Sequence, residues 1–344
     1  MKIRLKNVKV YSSRQDRFEE RDVCVSGGVF VGEDNFQEDE IWDCKDEIML
    51  PNFVSNYGLI AKEVENETSS PHEIADRVTK HYFEHGYSKI VEEINNFEVA
   101  KAFGENWIET QIVSGDLKLL EKIKKLNKRN LTVGVGVDLI LDTPEDIDEK
   151  VMYAHKNGLK IYSNFYESLM RAGEISTQYS KSPIEVARDF GMLDEKLVST
   201  NNVCLDKEDI IQMGDVLLTI APKTNMFSAL GFEPLGLVKN YEKDVGFWTP
   251  NEFGLDMFEN MRAALCVCRA SMNDEEILRE KDVLCWATGV REFCPENNKI
   301  ASFLLINSKK SQKNMKIWLK EQKMFFWPYH RGGYFYIFVA MVKS

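Results

Sequence analysis

Apolar and polar residues alternate with a period of two through the first fifty residues of the chain. The stretches KIRLKNVKVY, DVCVSGGVFVGE and EIWDC place apolar side chains at nearly every second position, and Gly27 and Gly28 separate two of these runs. This alternation is typical of short antiparallel strands with one buried face. Residues 1–50 are therefore predicted to form a small β domain.

From about Glu73 onward, helical patterns alternate with short apolar runs. HEIADRVTKHYFEHG and PEDIDEKVMYAHKNG have the spacing of amphipathic helices, whereas LTVGVGVDLIL, LKIYSNF and DVLLTIA are typical of buried strands. This order predicts βα units, a parallel sheet and an α/β fold class. The predicted strands end near Val137, Asn164, Asn201, Ala221 and Thr249. In a (β/α)8 barrel, the groups of the active site follow such strand ends.

Composition and charge narrow the classes of function. The chain has 344 residues, a sequence pI of about 5.2 and a net charge of −11, which disfavours a nucleic-acid partner because phosphate affinity comes chiefly from Lys and Arg. Seven cysteines and no leader pattern at Met1 predict free thiols and a cytoplasmic location. The longest uncharged apolar run, Tyr334 to Val342, is about half of the ~20 residues that a membrane-spanning helix needs. No membrane partner is expected.

The C-terminal residues 299–344 differ from the rest of the chain. They contain nine Lys or Arg, one Glu and many aromatic residues, and they lack the alternating pattern of a sheet. Genuine divergence and an altered reading frame would both produce this composition. We expect the N-terminal strands to lack partners from this tail, so that their sheet has an open edge and faster amide exchange than the barrel strands near Val137 and Leu218.

Five stretches resemble motifs of the metal-dependent amidohydrolases, in particular the aminohydrolase and chlorohydrolase branch. LPNFVSNYGL resembles the family's LPGFVNAHTH, LKIYSNFYES resembles LPIHIHVAET, and GMLDEKLVSTNNVCLDKEDI, APKTNMFSALGFEPL and GFWTPNEFGLDMFENMRAA match further motifs in the same order. The resemblance implies a TIM-type (β/α)8 barrel over residues 51–298, with early βα units that are reduced or absent. It also implies a family chemistry, the hydrolysis of C–N or C–Cl bonds in small cyclic compounds with Zn or Fe.

The positions that hold the metal in this family carry other residues here. The family uses two histidines after the first barrel strand, one after the fifth and an aspartate after the eighth, and the matching positions are Tyr57, Leu59, Asn164 and Pro250. The family's strand-six histidine and a substrate-contacting histidine near the fourth strand correspond to Asn201 and Val137. Only Glu167 matches a family residue of the reaction, the proton-shuttling glutamate, and it is the candidate catalytic residue.

The residue types at these positions do not suit a catalytic metal. Leu59 and Pro250 offer no ligand atom, Asn164 offers only a neutral amide oxygen, and Tyr57 would have to ionise from a pKa of about 10. The sequence therefore predicts no metal cofactor and a catalytically inactive pseudoenzyme that retains a small-molecule pocket.

Two alternatives remain open. One is an active hydrolase with a displaced metal or base, using Glu167, Asp138 or Cys204. The other is a non-catalytic binding protein or regulatory subunit, either a homodimer or paired with an active homologue.

Three further motifs are predicted to have structural rather than functional roles. HYFEH (His81, Glu84, His85) matches the HxxEH pattern of inverted zinc proteases, but it lies at the end of a polar helix that a histidine also suits. The four residues Cys266, Cys268, Cys285 and Cys294 are expected in the core rather than around zinc. VGVGVD has too few glycines for a dinucleotide loop and is predicted to be a closely packed strand.

Overall fold

The computed structural model of the protein describes residues 2–12, 17–33, 36–67, 70–290, 295, 301–307 and 336–339. The strands among them are β1 (Lys2–Ser12), β2 (Arg17–Ser26), β3 (Val29–Val31), β4 (Glu40–Asp43), β5 (Glu47–Leu50), β6 (Phe53–Val54), β7 (Tyr87–Glu93), β8 (Glu109–Ser114), β9 (Leu131–Val137), β10 (Ile161–Ser163), β11 (Leu197–Ser199), β12 (Leu217–Ile220), β13 (Val245–Phe247), β14 (Ser302–Asn307) and β15 (Tyr336–Val339).

The described helices are α1 (Ile60–Glu65), α2 (Pro71–Glu84), α3 (Phe97–Phe103), α4 (Leu117–Lys125), α5 (Pro144–Asn157), α6 (Leu169–Tyr179), α7 (Pro183–Asp189), α8 (Lys207–Gln212), α9 (Pro222–Phe227), α10 (Leu235–Asn240), α11 (Met257–Met272) and α12 (Glu280–Thr288), with a 3₁₀ helix at Glu252–Leu255. In the described part of the chain, none of them is long and apolar enough to cross a membrane.

The described residues divide into two compact units. One comprises those of 1–53, 86–88 and 288–344, and the other comprises those of 54–85 and 89–287. The boundaries at residues 50 and 298 that the sequence suggests remain predictions.

The smaller unit is built on the predicted N-terminal strands. Along β1, Ile3, Leu5, Val8 and Val10 are all buried, although the spacing from Leu5 to Val8 breaks the period of two. The pairing of β1 with β2 shifts register between these two residues, and Asn7 adopts a left-handed backbone with φ 59°. Leu5 and Val8 are three positions apart, which would place them on opposite faces of a regular strand. The register shift between them returns Val8 and Val10 to the buried face.

The C-terminal tail does contribute to this sheet, so the expected lack of partners is wrong. β14 pairs antiparallel with β5, placing Leu304 opposite Leu50 and Leu305 opposite Met49. Phe303 stacks on Phe30 with 5.8 Å between the ring centroids. The sequence pattern missed this strand because SFLLIN is a continuous apolar run rather than an alternating one, and such runs are ambiguous by periodicity. The N-terminal strands were expected to exchange amide protons faster than the barrel strands because their sheet had an open edge. At β5, that edge is paired with β14, so the expectation has no structural basis there.

The larger unit is a parallel barrel of eight strands, in the order β6 to β13 along the chain. The segments after the first and last strands meet and close the ring: Asn56 N donates to Phe247 O at 2.8 Å, Thr249 N to Tyr57 O at 2.8 Å, and Leu59 N to Thr249 O at 3.2 Å. The predicted TIM-type fold is confirmed. The early βα units contain all of their strands, β6, β7 and β8. Their first helix, α1, is short, with six residues.

Local signals in the sequence explain where the barrel helices begin and end. Thr143 accepts a hydrogen bond from Asp146 N in a capping box at the start of α5, and Pro144 occupies the first helical position. Gly158 ends the same helix with φ 65°, a left-handed conformation that favours glycine. These caps define where α5 begins and ends.

Candidate functional site at the barrel mouth

A cavity of about 250 Å³ opens at the C-terminal ends of the barrel strands. This is slightly smaller than the ~300–1,000 Å³ of typical small-molecule pockets. Its lining residues are Tyr57, Glu93, Asn95, Ser114, Gly115, Gly136, Val137, Asp138, Leu141, Asp142, Lys150, Tyr162, Ser163, Asn164, Arg171 and Thr200.

Two stacked tyrosines line the cavity. The rings of Tyr57 and Tyr162 lie 5.8 Å apart at their centroids, and Trp248 packs against Tyr57 at 6.1 Å. A Cβ at position 134 would lie 2.6 Å from Tyr162 Cε2, so Gly134 of the VGVGVD strand makes room for this ring. The close packing expected of that strand is therefore with Tyr162.

The Tyr57 hydroxyl is hydrogen-bonded to a carboxylate. It donates to Glu93 Oε2, and Lys62 Nζ donates to Glu93 Oε1 at 2.6 Å. Burial, followed by the negative charge of Glu93, raises the pKa of Tyr57 well above its ordinary value. Tyr57 is therefore a neutral hydrogen-bond donor at any physiological pH.

The cavity lining also contains two ion pairs. Arg171 Nη2 lies 3.0 Å from Asp138 Oδ1, and Lys150 Nζ lies 2.6 Å from Asp142 Oδ2. Burial opposes ionisation of Asp138, but the N–H of Ile140 and the charge of Arg171 outweigh it and hold the pKa of Asp138 below its ordinary value. Asp138 is thus a poor general base, because its proton affinity is low.

Glu167 supports the cavity wall from beside it. Asn164 Nδ2 donates to Glu167 Oε2 at 3.0 Å, and Arg171 Nε donates to the Asn164 carbonyl at 2.8 Å. Cys204 follows β11, and burial raises the pKa of its thiol, which disfavours a thiolate nucleophile.

The sequence-derived site residues all lie at or just after the C-terminal ends of barrel strands, but only some line the cavity. Those that line it are Tyr57, Val137 and Asn164. Leu59 lies at the closing seam, where its N–H bonds Thr249, and Pro250 follows Thr249 there. Asn201 is buried directly after the lining residue Thr200.

The donor set at the family's metal positions does not fit a catalytic divalent cation. Tyr57 is neutral and bonded to Glu93, Leu59 and Pro250 have no donor atoms, and Asn164 provides an amide. Among the residues that the structure describes, no group of three or more His, Cys, Asp or Glu side chains is arranged to hold a metal ion.

Sequence reasoning missed most of the charged groups of the cavity. Glu93, Lys150 and Arg171 lie outside the stretches that resemble the family motifs at the metal positions. One signal was available for Glu93, since KIVEE is an apolar strand that ends in two carboxylates.

Glu92, the neighbour of Glu93, faces away from the cavity and is completely buried. Tyr82 OH donates to Glu92 Oε1, and Ala61 N donates to Glu92 Oε2 at 2.9 Å. Burial raises the pKa of Glu92 to about 7, although the Tyr82 and Ala61 hydrogen bonds act in the opposite direction. This network ties β7 to α1 and α2.

The other motifs lie in structural settings. His81 Nδ1 lies 2.8 Å from Glu252 Oε1, and His85 Nδ1 contacts the His81 carbonyl at 2.7 Å in the last turn of α2. Cys268 is buried in α11, but the expectation of a core position is wrong for Cys266, which is exposed on the same helix. Cys294 lies outside the described residues.

Sequence comparison relates the chain to nucleoside deaminases. It is 30% identical over 119 residues to the 5-methylthioadenosine/S-adenosylhomocysteine deaminase of Pyrococcus abyssi, covering 33% of this chain and 28% of the relative. It is 26% identical over 178 residues to the 5′-deoxyadenosine deaminase of Methanothermobacter thermautotrophicus, covering 48% and 42%. The chain thus matches less than half the length of these relatives. No protein-family model matches it.

Solved structures share the fold over most of the chain. An adenosine deaminase from Xanthomonas campestris with bound zinc superposes with a TM-score of 0.77 at 16% identity, covering 92% of this chain and 87% of that one. A guanine deaminase from C. acetobutylicum with bound guanine has a TM-score of 0.76 at 13% identity, covering 90% and 92%. The chain therefore shares the fold of these solved structures, and part of its sequence is similar to the deaminases named above.

Proposed function

We propose that this protein is a non-hydrolytic relative of the deaminases that binds a small heterocyclic compound at the barrel mouth. The observation that carries the proposal is Tyr57, which matches the family's first metal histidine yet has a neutral hydroxyl bonded to Glu93. A site whose first ligand position is a neutral phenol cannot ionise a metal-bound water in the way the family's site does.

The lining supports a planar, polar ligand. Tyr57 offers an aromatic ring, on which heterocycles stack, and the ion-paired wall offers both donors and acceptors. The matched relatives are described as deaminases of 5-methylthioadenosine, S-adenosylhomocysteine and 5′-deoxyadenosine. We therefore propose purine nucleosides as the ligand class, and a cytoplasmic location in line with the free cysteines of the described residues.

Loss of hydrolysis gives the first expected result. The purified full chain is expected to hold well below one Zn, Fe or Mn per molecule by elemental analysis. It is expected to release no ammonia from 5′-methylthioadenosine, adenosine or guanine above the rate of a Glu167→Gln variant. One tightly bound metal per chain, or ammonia release that Glu167→Gln abolishes, would restore the active-hydrolase alternative.

Retained binding gives the second expected result. Isothermal titration with 5′-methylthioadenosine is expected to show saturable binding, weakened at least about tenfold by Tyr57→Ala, because stacking of a base on an aromatic ring is worth about 1–3 kcal/mol. Tyr241→Ala, which truncates a tyrosine outside the cavity lining, is the matched control and should bind normally. Equal affinity of the wild type and Tyr57→Ala would contradict the assigned pocket.

An exposed apolar surface favours a second candidate function, that of a regulatory subunit. Phe227 is 76% exposed and its ring lies 4.7 Å from that of Phe253, with Lys223 Nζ 4.0 Å from the Phe253 ring centroid. Exposed apolar surfaces of this kind often mark protein contacts. If this candidate is right, a pull-down from native extract should recover an intact homologue, and Phe227→Glu should abolish recovery. Recovery that Phe227→Glu leaves unchanged would contradict it.

A further inference from the structure

Two cationic side chains reach the cavity at the barrel mouth from consecutive helices. Lys150 belongs to α5 and Arg171 to α6, and both residues line the cavity. Their side chains are only 12% and 20% exposed. Lysine and arginine are rarely withdrawn from solvent to this extent unless partners hold them there. The two charges are therefore fixed at the cavity surface.

Gly115 makes room for the Lys150 ammonium group. A Cβ at position 115 would lie 2.9 Å from Lys150 Nζ and 3.5 Å from Lys150 Cε. Gly115 itself lines the cavity, as does Gly136 beside it. The ammonium group thus lies against backbone that forms the cavity surface, and any side chain at position 115 would displace it.

Two aspartates of one short loop hold both cations. Lys150 Nζ lies 2.6 Å from Asp142 Oδ2, and the same oxygen accepts a hydrogen bond from Asp138 N at 2.9 Å. Asp138 Oδ1 lies 3.0 Å from Arg171 Nη2. The two cations are thereby joined through this loop. Because the cavity is smaller than typical small-molecule pockets, one ligand that fills it can contact both of them.

The cations have hydrogen-bond donors that the protein itself does not use. Arg171 Nε donates to the Asn164 carbonyl at 2.8 Å, but Arg171 Nη1 has no partner among the described residues. Because Nη1 is not among the buried unpaired atoms there, it is accessible. Of the three N–H groups of Lys150, the described contacts occupy one, at Asp142. Donors on both cations therefore remain for a ligand.

The carboxylate oxygens that hold these cations have less capacity left. Asp138 Oδ1 accepts from Ile140 N at 2.9 Å and from Leu141 N at 3.2 Å in addition to its contact with Arg171. The third carboxylate of the lining, Glu93, accepts from Tyr57 and Lys62. It does not compete for the donors of Lys150 and Arg171. The lining is thus complementary to a group that is rich in acceptor oxygens.

We propose that Lys150 and Arg171 bind an oxyanion, a phosphate or a carboxylate, that the heterocyclic ligand carries. Guanidinium groups bind such anions through two parallel hydrogen bonds, and ammonium groups bind them as point charges. Asp138 and Asp142 are the positioning residues. This assignment rests on the proposed ligand binding and adds the group that distinguishes the ligand from a neutral nucleoside.

The test is isothermal titration of the full chain with three ligands: adenosine, adenosine 5′-monophosphate, and the adenosine derivative whose 5′-carbon is a carboxylate. At least one of the two anions is expected to bind about tenfold or more tightly than adenosine, because hydrogen bonds between charged groups are stronger than neutral ones. Tighter binding of only one anion identifies that anion as the ligand group. Adenosine binding that equals or exceeds that of both anions would overturn this inference and leave the proposed function intact. Absence of binding by all three would overturn both.

Two variants test the placement of the ammonium group. Lys150→Met should bring the ratio of anion affinity to adenosine affinity close to one. Gly115→Ala keeps every charge and every ion-pair partner but displaces Lys150 Nζ, so it should lower the same ratio several-fold. The matched control is Lys156→Met, which removes an exposed lysine of α5 outside the cavity lining and should keep the wild-type ratio. A ratio that both Lys150→Met and Gly115→Ala leave unchanged would contradict the assigned oxyanion site.

Discussion

Replacing Gly58 with alanine is expected to lower the free energy of unfolding of the barrel unit by about 3–5 kcal/mol. The added Cβ would lie 2.1 Å from Glu92 Oε1, 2.3 Å from Tyr82 OH and 3.0 Å from Thr249 Oγ1. These atoms belong to the buried network and cannot withdraw into solvent. The substitution therefore forces the Tyr82–Glu92 hydrogen bond apart at the seam where the barrel closes.

Urea denaturation at neutral pH measures this effect. Gly173→Ala is the matched control, because a Cβ at this exposed position in α6 meets no atom within 4 Å. Alanine in the interior of a helix should stabilise that variant by roughly 0.5–1 kcal/mol. Similar unfolding free energies for Gly58→Ala and the wild type would show that the network relaxes at little cost.

As the pH rises from about 4.5 to 7, ionisation of Glu92 is expected to lower the free energy of unfolding of the wild type by about 3 kcal/mol. Substituting Glu92 by glutamine is expected to remove this loss. The pKa of Glu92 is about 7 in the folded protein and 4.5 as the ordinary value. Between these values the folded state binds more protons than the unfolded state, so stability falls as the pH rises from about 4.5 to 7. Glutamine cannot ionise, so the stability of the Glu92→Gln variant does not fall in this way.

Urea denaturation at pH 5 and pH 8 provides the measurement. The difference in unfolding free energy between Glu92→Gln and the wild type should move in favour of the variant at the higher pH. Gly173→Ala, which alters no ionisable group, should leave the pH dependence unchanged. A Glu92→Gln profile parallel to that of the wild type would contradict the raised pKa.

The sequence alone indicated the alternation of helices and strands and the ends of the later barrel strands. Predicted ends near Val137, Asn164 and Asn201 lie within two residues of the observed ends at Val137, Ser163 and Ser199. Periodicity, caps and turn residues are local properties, because each depends on the residue types at a few consecutive positions. The resemblance to the family added the fold and the positions that follow the barrel strands.

Only the tertiary structure decided which side chains meet. Tyr57 bonds Glu93 across 36 residues, Arg171 pairs with Asp138 across a βα unit, and the apolar run at Phe303 joins the N-terminal sheet. The buried contact of Asn201 with Asn225, and of Asn225 with Glu233, follows from the way two neighbouring strands deliver their loops to one end of the barrel. Partner choice over such separations depends on the register and closure of the whole barrel, and a local pattern of apolar and polar residues carries no information about it.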